Sequence, residues 1–148
     1  MPTPTITPFL WFDNDAQDAM TFYASIFPDT RIISSSPMSV EFELQGQRIY
    51  GLNGGPHFKH TEAFSLFVGC ETQAEIDNYW EKLQADGGSP SRCGWLKDKF
   101  GLSWQIVPNA LSTLLRSGDA AASKRVMDAL LKMDKLDIAG LQAAFDAR

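Results

Sequence analysis

Cysteine, excess positive charge and long apolar runs are all scarce in this sequence of 148 residues. Its only cysteines, Cys70 and Cys93, are too few for the disulfide framework of small secreted domains. No run reaches the about 20 apolar residues that a membrane-spanning helix needs. A net charge of −5 provides no basic face for nucleic acid or an anionic membrane. We therefore expect neither of these partners.

The first residues, 1–5, lack a basic segment followed by an apolar core, so they do not resemble a secretion signal. We therefore expect a cytoplasmic protein with reduced thiols. Hydrophobic residues make up 44% and charged residues 21%, as is ordinary for a soluble globular protein. The length suits one compact domain over 1–148.

Histidine is equally scarce, because His57 and His60 are the only two and lie in one loop rich in glycine and proline. No Ser-His-Asp arrangement can be built from such a pair. Histidines three residues apart in a loop of this kind are more typical of a surface than of a metal site.

Apolar periodicity dominates the first half of the sequence. Asp13, Asn14 and Asp15 offer capping side chains for a helix. Gln45-Gly46 has the composition of a hairpin turn. The predicted elements are a strand over 6–12, a helix with the apolar stripe Ala16, Met20, Tyr23 and Phe27, and strands over 30–35, 38–44 and 47–53.

The same order of elements returns in the second half. A strand over 64–68 precedes a capping box formed by Thr72 and Glu75. A helix with the stripe Ile76, Tyr79, Trp80 and Leu83 follows, and then three short strands up to Val107. Between the last two strands, Asp98 and Gly101 bracket a tight turn. An offset of 56 residues superposes the stripes and predicts an internal duplication.

The predicted fold is α+β, with two tandem βαβββ modules that form a curved mixed sheet around a cavity. Module one covers 6–53 and module two covers 63–107. A tail over 109–148 adds about three helices, two of them capped by Asp119 and Asp137. The apolar residues of this tail and the open sheet edges predict a homodimer. The tail residues concerned are Val126, Leu130, Met133, Leu141 and Phe145.

Several strings of the sequence resemble the PhnB-like branch of the vicinal oxygen chelate superfamily, which includes glyoxalase I and the bleomycin and fosfomycin resistance proteins. They are ITPFLWF at 6–12, LNGGPHF at 52–58, CGWLKD at 93–98, RVM at 125–127 and LKM at 131–133. The resemblance covers nearly the whole chain and implies the paired-module fold. Some members of this branch are described as 3-demethylubiquinone-9 3-methyltransferases.

In the metal-using members, this resemblance implies ligands at positions that fall here on Pro8, Phe64 and Gln105, with Asn53 near the fourth. Proline and phenylalanine side chains cannot bind a metal, and a neutral amide lacks the charge of a carboxylate. We therefore expect no glyoxalase-type metal and no cofactor.

The function predicted from the sequence is binding of a small molecule in the sheet cavity. The predicted binding residues are Asn53, His57, Cys93, Trp95 and Gln105, with apolar walls from Leu10, Phe12, Leu66 and Val107. One alternative is an enzyme with a non-standard centre that uses His57, Cys93 or Glu41. Others are the methyl transfer named by the family label and a structural or regulatory dimer without a ligand.

Overall fold

The computed structural model describes residues 2–147, which divide into two compact units with the boundary between His60 and Thr61. The first unit holds one sheet and one helix. Its elements are β1 (Phe9–Phe12), α1 (Ala16–Ile26), β2 (Thr30–Ser35), β3 (Ser39–Leu44) and β4 (Gln47–Asn53). The strand order is β1-β4-β3-β2, with β1 parallel to β4 and the other neighbours antiparallel.

The hairpin between β3 and β4 turns at Gln45 and Gly46, as predicted. Their φ angles are +48° and +83°. Positive φ at both central residues gives the turn a twist that matches the flanking strands. This hairpin therefore sets the register that places Glu41 opposite Tyr50 and Glu43 opposite Arg48.

The first strand is shorter than predicted and lies at an edge of its sheet. Pairing with β4 begins at Phe9, which is 59% exposed, and Ile6 is 96% exposed and outside the strand. The strand predicted over 6–12 therefore begins three residues later, and its apolar composition does not make it a central strand. Apolar composition alone cannot tell an edge strand from a central one.

Helix α1 buries the predicted stripe against the sheet, where Tyr23 lies 6.5 Å from Phe42 between ring centroids. Asp15 occupies the N-cap position but makes no side-chain capping bond. The Asn53 side chain supplies it instead, because its Oδ1 accepts a hydrogen bond of 2.9 Å from the Ala16 N–H. The helix start is thus fixed by the end of β4.

The second unit repeats the first and adds the tail. Its elements are β5 (Ser65–Cys70), α2 (Gln73–Leu83), β6 (Ser89–Pro90), β7 (Trp95–Lys97), β8 (Ser103–Pro108), α3 (Asn109–Leu115), α4 (Ala120–Leu130) and α5 (Ile138–Asp146). The strand order β5-β8-β7-β6 reproduces that of the first unit, again with the outer pair β5 and β8 parallel. The predicted duplication is therefore confirmed at the level of topology.

Helix α2 begins as the capping box predicts, because the Thr72 hydroxyl accepts from the Glu75 N–H at 3.2 Å. Ile76 and Leu83 are fully buried, whereas the other two residues of the predicted stripe, Tyr79 and Trp80, are half-buried. The buried face of α2 is therefore narrower than the sequence pattern indicated.

The tail forms three helices, as predicted, and packs on its own unit. Its core consists of Val107, Leu114, Val126, Leu130, Leu136 and Leu141, with Met133 and Phe145 against it. Because these residues are buried within the unit, the homodimer stays a prediction that depends on the sheet edges alone. None of the helices within residues 2–147 is long and apolar enough to span a membrane.

Both predicted caps of the tail helices lie at N-cap positions. The Asp119 carboxylate accepts from the Ala122 N–H at 3.0 Å. Asp137 makes no such bond, and Gln73 of α2 accepts from the Ile138 N–H at 2.9 Å instead. The tail is thereby tied to the start of the second module's helix.

Candidate functional site

One face of the second sheet is left uncovered by α2, and we call it the open face. Along β8, Trp104 and Ile106 are buried on the α2 side, with 1% and 0% exposure, and Gln105 is half-buried on the other. Because side chains alternate along a strand, Gln105 lies on the open face. The Gln105 amide lies opposite Trp95 of β7 and donates to Ser65 Oγ at 2.9 Å.

The open face carries a cavity of about 230 Å³ at its β6–β7 side, which we call the second-unit cavity. Strand register places Trp95, Lys97 and Ser103 on the same face, so their side chains point toward it. The residues lining it are Glu62, Ser89, Pro90, Ser91, Trp95, Leu96, Lys97 and Ser103.

The polar groups of this cavity differ in whether they have a partner within the described part of the chain. Lys97 forms an ion pair with Glu62, and its hydrogen bond lowers the pKa of the Glu62 carboxyl below the usual value. Ser103 is 1% exposed, and its buried hydroxyl has no hydrogen-bond partner within the described part of the chain. Buried hydroxyls are normally paired.

The turn between β7 and β8 holds these strands in register through a buried carboxylate. Asp98, 2% exposed, accepts through Oδ1 from the N–H groups of Phe100 (2.9 Å) and Leu102 (3.1 Å). Its Oδ2 accepts from Trp104 Nε1 at 2.8 Å. The sequence predicted the turn but not this network. The sequence feature that could have indicated this network is Trp104, which lies six residues after Asp98.

Cys93 lies with the tail and not in the second-unit cavity. Its backbone has a φ of +60°, and its N–H donates to Met133 O at 2.8 Å. The half-buried side chain packs against the tail core. Of the predicted binding residues in this unit, the structure brings Trp95 and Gln105 directly opposite each other.

The predicted binding residues of the first unit have different surroundings. Asn53 caps α1, and its Nδ2 donates to Gln17 Oε1 at 2.8 Å and to Pro37 O at 3.1 Å. These bonds give Asn53 a structural role. His57 is exposed in the loop after β4. Ligand contacts by both residues stay predictions.

Of the predicted wall residues, Leu10 and Phe12 lie on the α1 side of their sheet, where both are buried. Leu66 lies opposite Trp104, on the α2 side. Val107 shares the face of Gln105 but packs in the tail core. The apolar side chain that lines the second-unit cavity on the open face is Trp95, which the sequence predicted as a binding residue.

Trp11 anchors the glycine-rich loop of the first unit. Its Nε1 donates to Gly55 O at 2.8 Å, and its ring meets Phe58 edge-on at 4.9 Å between centroids. Gly54 lies directly against the indole, and Gly55 has a φ of +90°. The loop within 52–58, one of the strings that carry the family resemblance, is thus shaped by its contacts with Trp11.

Gly54→Ala is expected to destabilise the first unit by about 2–4 kcal/mol. The added Cβ would lie 2.3 Å from Trp11 Cζ2, so the ring must move and lose its bond to Gly55. Urea unfolding measures the cost. Gly54 has no positive φ, so the loss reports the clash and not left-handed backbone strain. A loss below about 1 kcal/mol would contradict the proposed clash.

The other titratable candidates are held in structural contacts. Glu41 pairs with Arg48 at 3.3 Å and Glu43 with Arg31 at 2.8 Å. Burial raises the pKa of the Cys70 thiol to about 11. Among residues 2–147, no group of three or more histidine, cysteine, aspartate or glutamate side chains is placed to hold a metal ion.

Comparison with known proteins places this geometry in a family. The family described as 3-demethylubiquinone-9 3-methyltransferase matches residues 4–107. The structure of the PhnB protein from Bacillus cereus is 34% identical, with a TM-score of 0.64, over 71% of this chain and 99% of that one. No curated protein gives a significant match.

More distant solved structures share the fold alone. The fosfomycin resistance protein FosX from Listeria monocytogenes, in a complex with Mn(II) and sulfate, is 18% identical with a TM-score of 0.61. That match covers 80% of this chain and all of FosX. A glyoxalase-related enzyme from Fulvimarina pelagi is 14% identical, with a TM-score of 0.53, over 73% of this chain and 91% of that one.

Proposed function

Because this chain belongs to the 3-demethylubiquinone-9 3-methyltransferase family and has the PhnB-like glyoxalase fold, we propose that it binds one small molecule on the open face of its second sheet, without a glyoxalase-type metal. The observation that carries the proposal is the second-unit cavity, where Trp95 and several hydroxyl groups converge. Ligand sites combine an apolar surface with a few placed polar groups in this way.

Metal-free binding is supported by the chemistry of Gln105. This residue has a neutral side chain whose amide nitrogen is already engaged by Ser65. A carboxylate would offset the cost of removing water from a divalent cation, and an amide does so poorly. The position that the resemblance assigns to a ligand glutamate is therefore better suited to orienting an organic molecule.

Methyl transfer, which the family description names, needs a methyl donor and an acceptor together. Sites for drug-sized ligands measure about 300–1,000 Å³. The second-unit cavity, at about 230 Å³, is smaller than that range. Its size therefore favours one small molecule over two substrates.

Binding can be tested by recording ¹H–¹⁵N spectra of the intact chain with a library of fragments of up to about 12 non-hydrogen atoms. We expect fragments that bind to shift the Trp95 indole signal and the amides of Lys97, Ser103 and Gln105, because these groups share the open face. Trp95→Ala should weaken that binding by about tenfold or more, since it removes the main apolar contact.

Trp80→Phe is the matched control, because Trp80 is half-buried on α2 and does not line the cavity. It should retain the affinity of the unaltered chain. Adding Mn²⁺ or Zn²⁺ should leave the melting temperature and the affinity unchanged. Fragments that bind Trp95→Ala as well as the unaltered chain, or that require a metal, would overturn the proposal.

A further inference from the structure

The buried hydroxyl of Ser103 is a polar group of the second-unit cavity that the described part of the chain leaves without a hydrogen-bond partner. It is 1% exposed and has no hydrogen-bond partner within residues 2–147. Leaving such a group unpaired costs about 1–3 kcal/mol. A ligand that offers this hydroxyl a donor or an acceptor would recover that cost, so Ser103 indicates a polar ligand.

The charges of the cavity bear on whether that ligand is an anion. The Lys97 ammonium is already paired with the Glu62 carboxylate. Together they contribute no net charge, and the chain as a whole carries −5. An anion would have to displace Glu62 from Lys97 against this overall charge. A neutral ligand can instead accept a hydrogen bond from the ammonium and donate one to the carboxylate.

The Ser103 hydroxyl and the Lys97 side chain start from neighbouring positions on the open face. Ser103 and Lys97 are directly opposite on β8 and β7. Side chains at such positions have Cβ atoms about 4.5–5.5 Å apart. Hydroxyl groups on neighbouring carbons can reach both. Ser89, opposite Lys97 on β6, adds a further hydroxyl to the same row.

The size and the remaining wall limit the ligand further. The cavity of about 230 Å³ is smaller than the about 300–1,000 Å³ of sites for drug-sized ligands. Trp95 supplies the apolar wall on the open face. A compact molecule fits this cavity if its carbon atoms can lie against Trp95 and its hydroxyl groups can face the polar side chains.

We propose that the second-unit cavity recognises a small, neutral compound with hydroxyl groups on adjacent carbons, held by Ser103 and the Lys97–Glu62 pair. This inference rests on the proposed function and names the ligand class of the same site. One ligand hydroxyl bridges Lys97 and Glu62. Its neighbour bonds to Ser103, and the carbon skeleton lies against Trp95.

The test compares three small probes in ¹H–¹⁵N titrations of the intact chain. Meso-erythritol is neutral with adjacent hydroxyls, erythronate adds a carboxylate, and 1,4-butanediol lacks adjacent hydroxyls. We expect erythritol to shift the amides of Lys97 and Ser103 and to bind about tenfold more tightly than either of the others. Erythronate or butanediol binding as tightly as erythritol would overturn the ligand class.

Two variants test the named residues. Ser103→Ala should weaken erythritol binding by about tenfold while leaving the melting temperature unchanged or higher, because the hydroxyl makes no hydrogen bond within residues 2–147. Glu62→Gln should free the Lys97 charge and reverse the preference toward erythronate. The control Ser112→Ala, on the exposed surface of α3, should change neither. Unchanged erythritol binding in Ser103→Ala would contradict the assignment.

Failure of this inference can be told from failure of the proposed function. Fragments that shift Trp95 and depend on it, with no binding of erythritol, would overturn the polyol class and leave small-molecule binding in place. If neither the fragments nor the probes shift signals of the open face, the polyol class and the proposed function are both overturned.

Discussion

Replacing Asp98 by alanine is expected to lower the free energy of unfolding by about 3–5 kcal/mol. The carboxylate accepts hydrogen bonds from the backbone of Phe100 and Leu102 and from the indole of Trp104. Leu102 and Trp104 are buried, so water cannot replace the lost acceptor there. Urea unfolding monitored by circular dichroism measures the loss.

Asp98→Asn separates the parts of this network. The amide oxygen can still accept from the turn backbone, but the amide nitrogen cannot accept from the Trp104 indole. We expect about half the loss of the alanine variant. Asp128→Ala is the control, because Asp128 is exposed on α4 and its ion pair with Lys124 lies on the surface. A loss below about 1 kcal/mol in Asp98→Ala would show that the turn forms without the carboxylate.

Gly94→Ala is expected to cost about 2–5 kcal/mol, or to prevent folding of the second unit. Its φ is +87°, and an added Cβ would lie 2.8 Å from the carbonyl oxygen of Ile106 and 3.0 Å from Leu136. Gly94 also donates to Asp134 O at 2.8 Å and accepts from the Ile106 N–H at 2.8 Å. The substitution therefore pushes the sheet and the tail apart at their shared contact.

Gly118→Ala provides a close control, because its φ is +85° and nothing lies within 4 Å of the added atom. It should lower the free energy of unfolding by only about 1–2 kcal/mol, which is the cost of a left-handed backbone conformation in a residue that has a Cβ atom. The difference between the variants, from urea unfolding, isolates the steric part. Equal costs would mean that the chain moves aside at Gly94 without penalty.

The repeated fold could be predicted because apolar periodicity reports which faces are buried. Thr72 and Glu75 gave the start of α2, and Gln45-Gly46 gave the turn into β4. The edge position of β1 could not be predicted, since Phe9 looks the same in a central strand and in an exposed one. The narrow buried face of α2 was missed because apolar residues at helical spacing do not show how far side chains such as Tyr79 and Trp80 are covered.

The candidate site was predicted only in part. Trp95 was singled out and lines the cavity, and Gln105 was singled out and lies opposite Trp95 without lining it. Ser103 and the Lys97–Glu62 pair were missed, because nothing in the sequence distinguishes a buried, unpaired serine from an exposed one. Glu62 also lies outside every predicted strand. Such contacts between distant positions follow from the register of the strands and not from local pattern.

Residues distant in sequence accept the hydrogen bonds at the starts of α1 and α5, and this affects the order of folding. Asn53 reaches the first turn of α1 across 37 positions, and Gln73 reaches the first turn of α5 across 65. Short helices are marginal on their own, and closing such long loops is slow. Helices α1 and α5 therefore gain their full stability only after β4 and α2 have docked, and isolated peptides of either helix would remain largely unstructured.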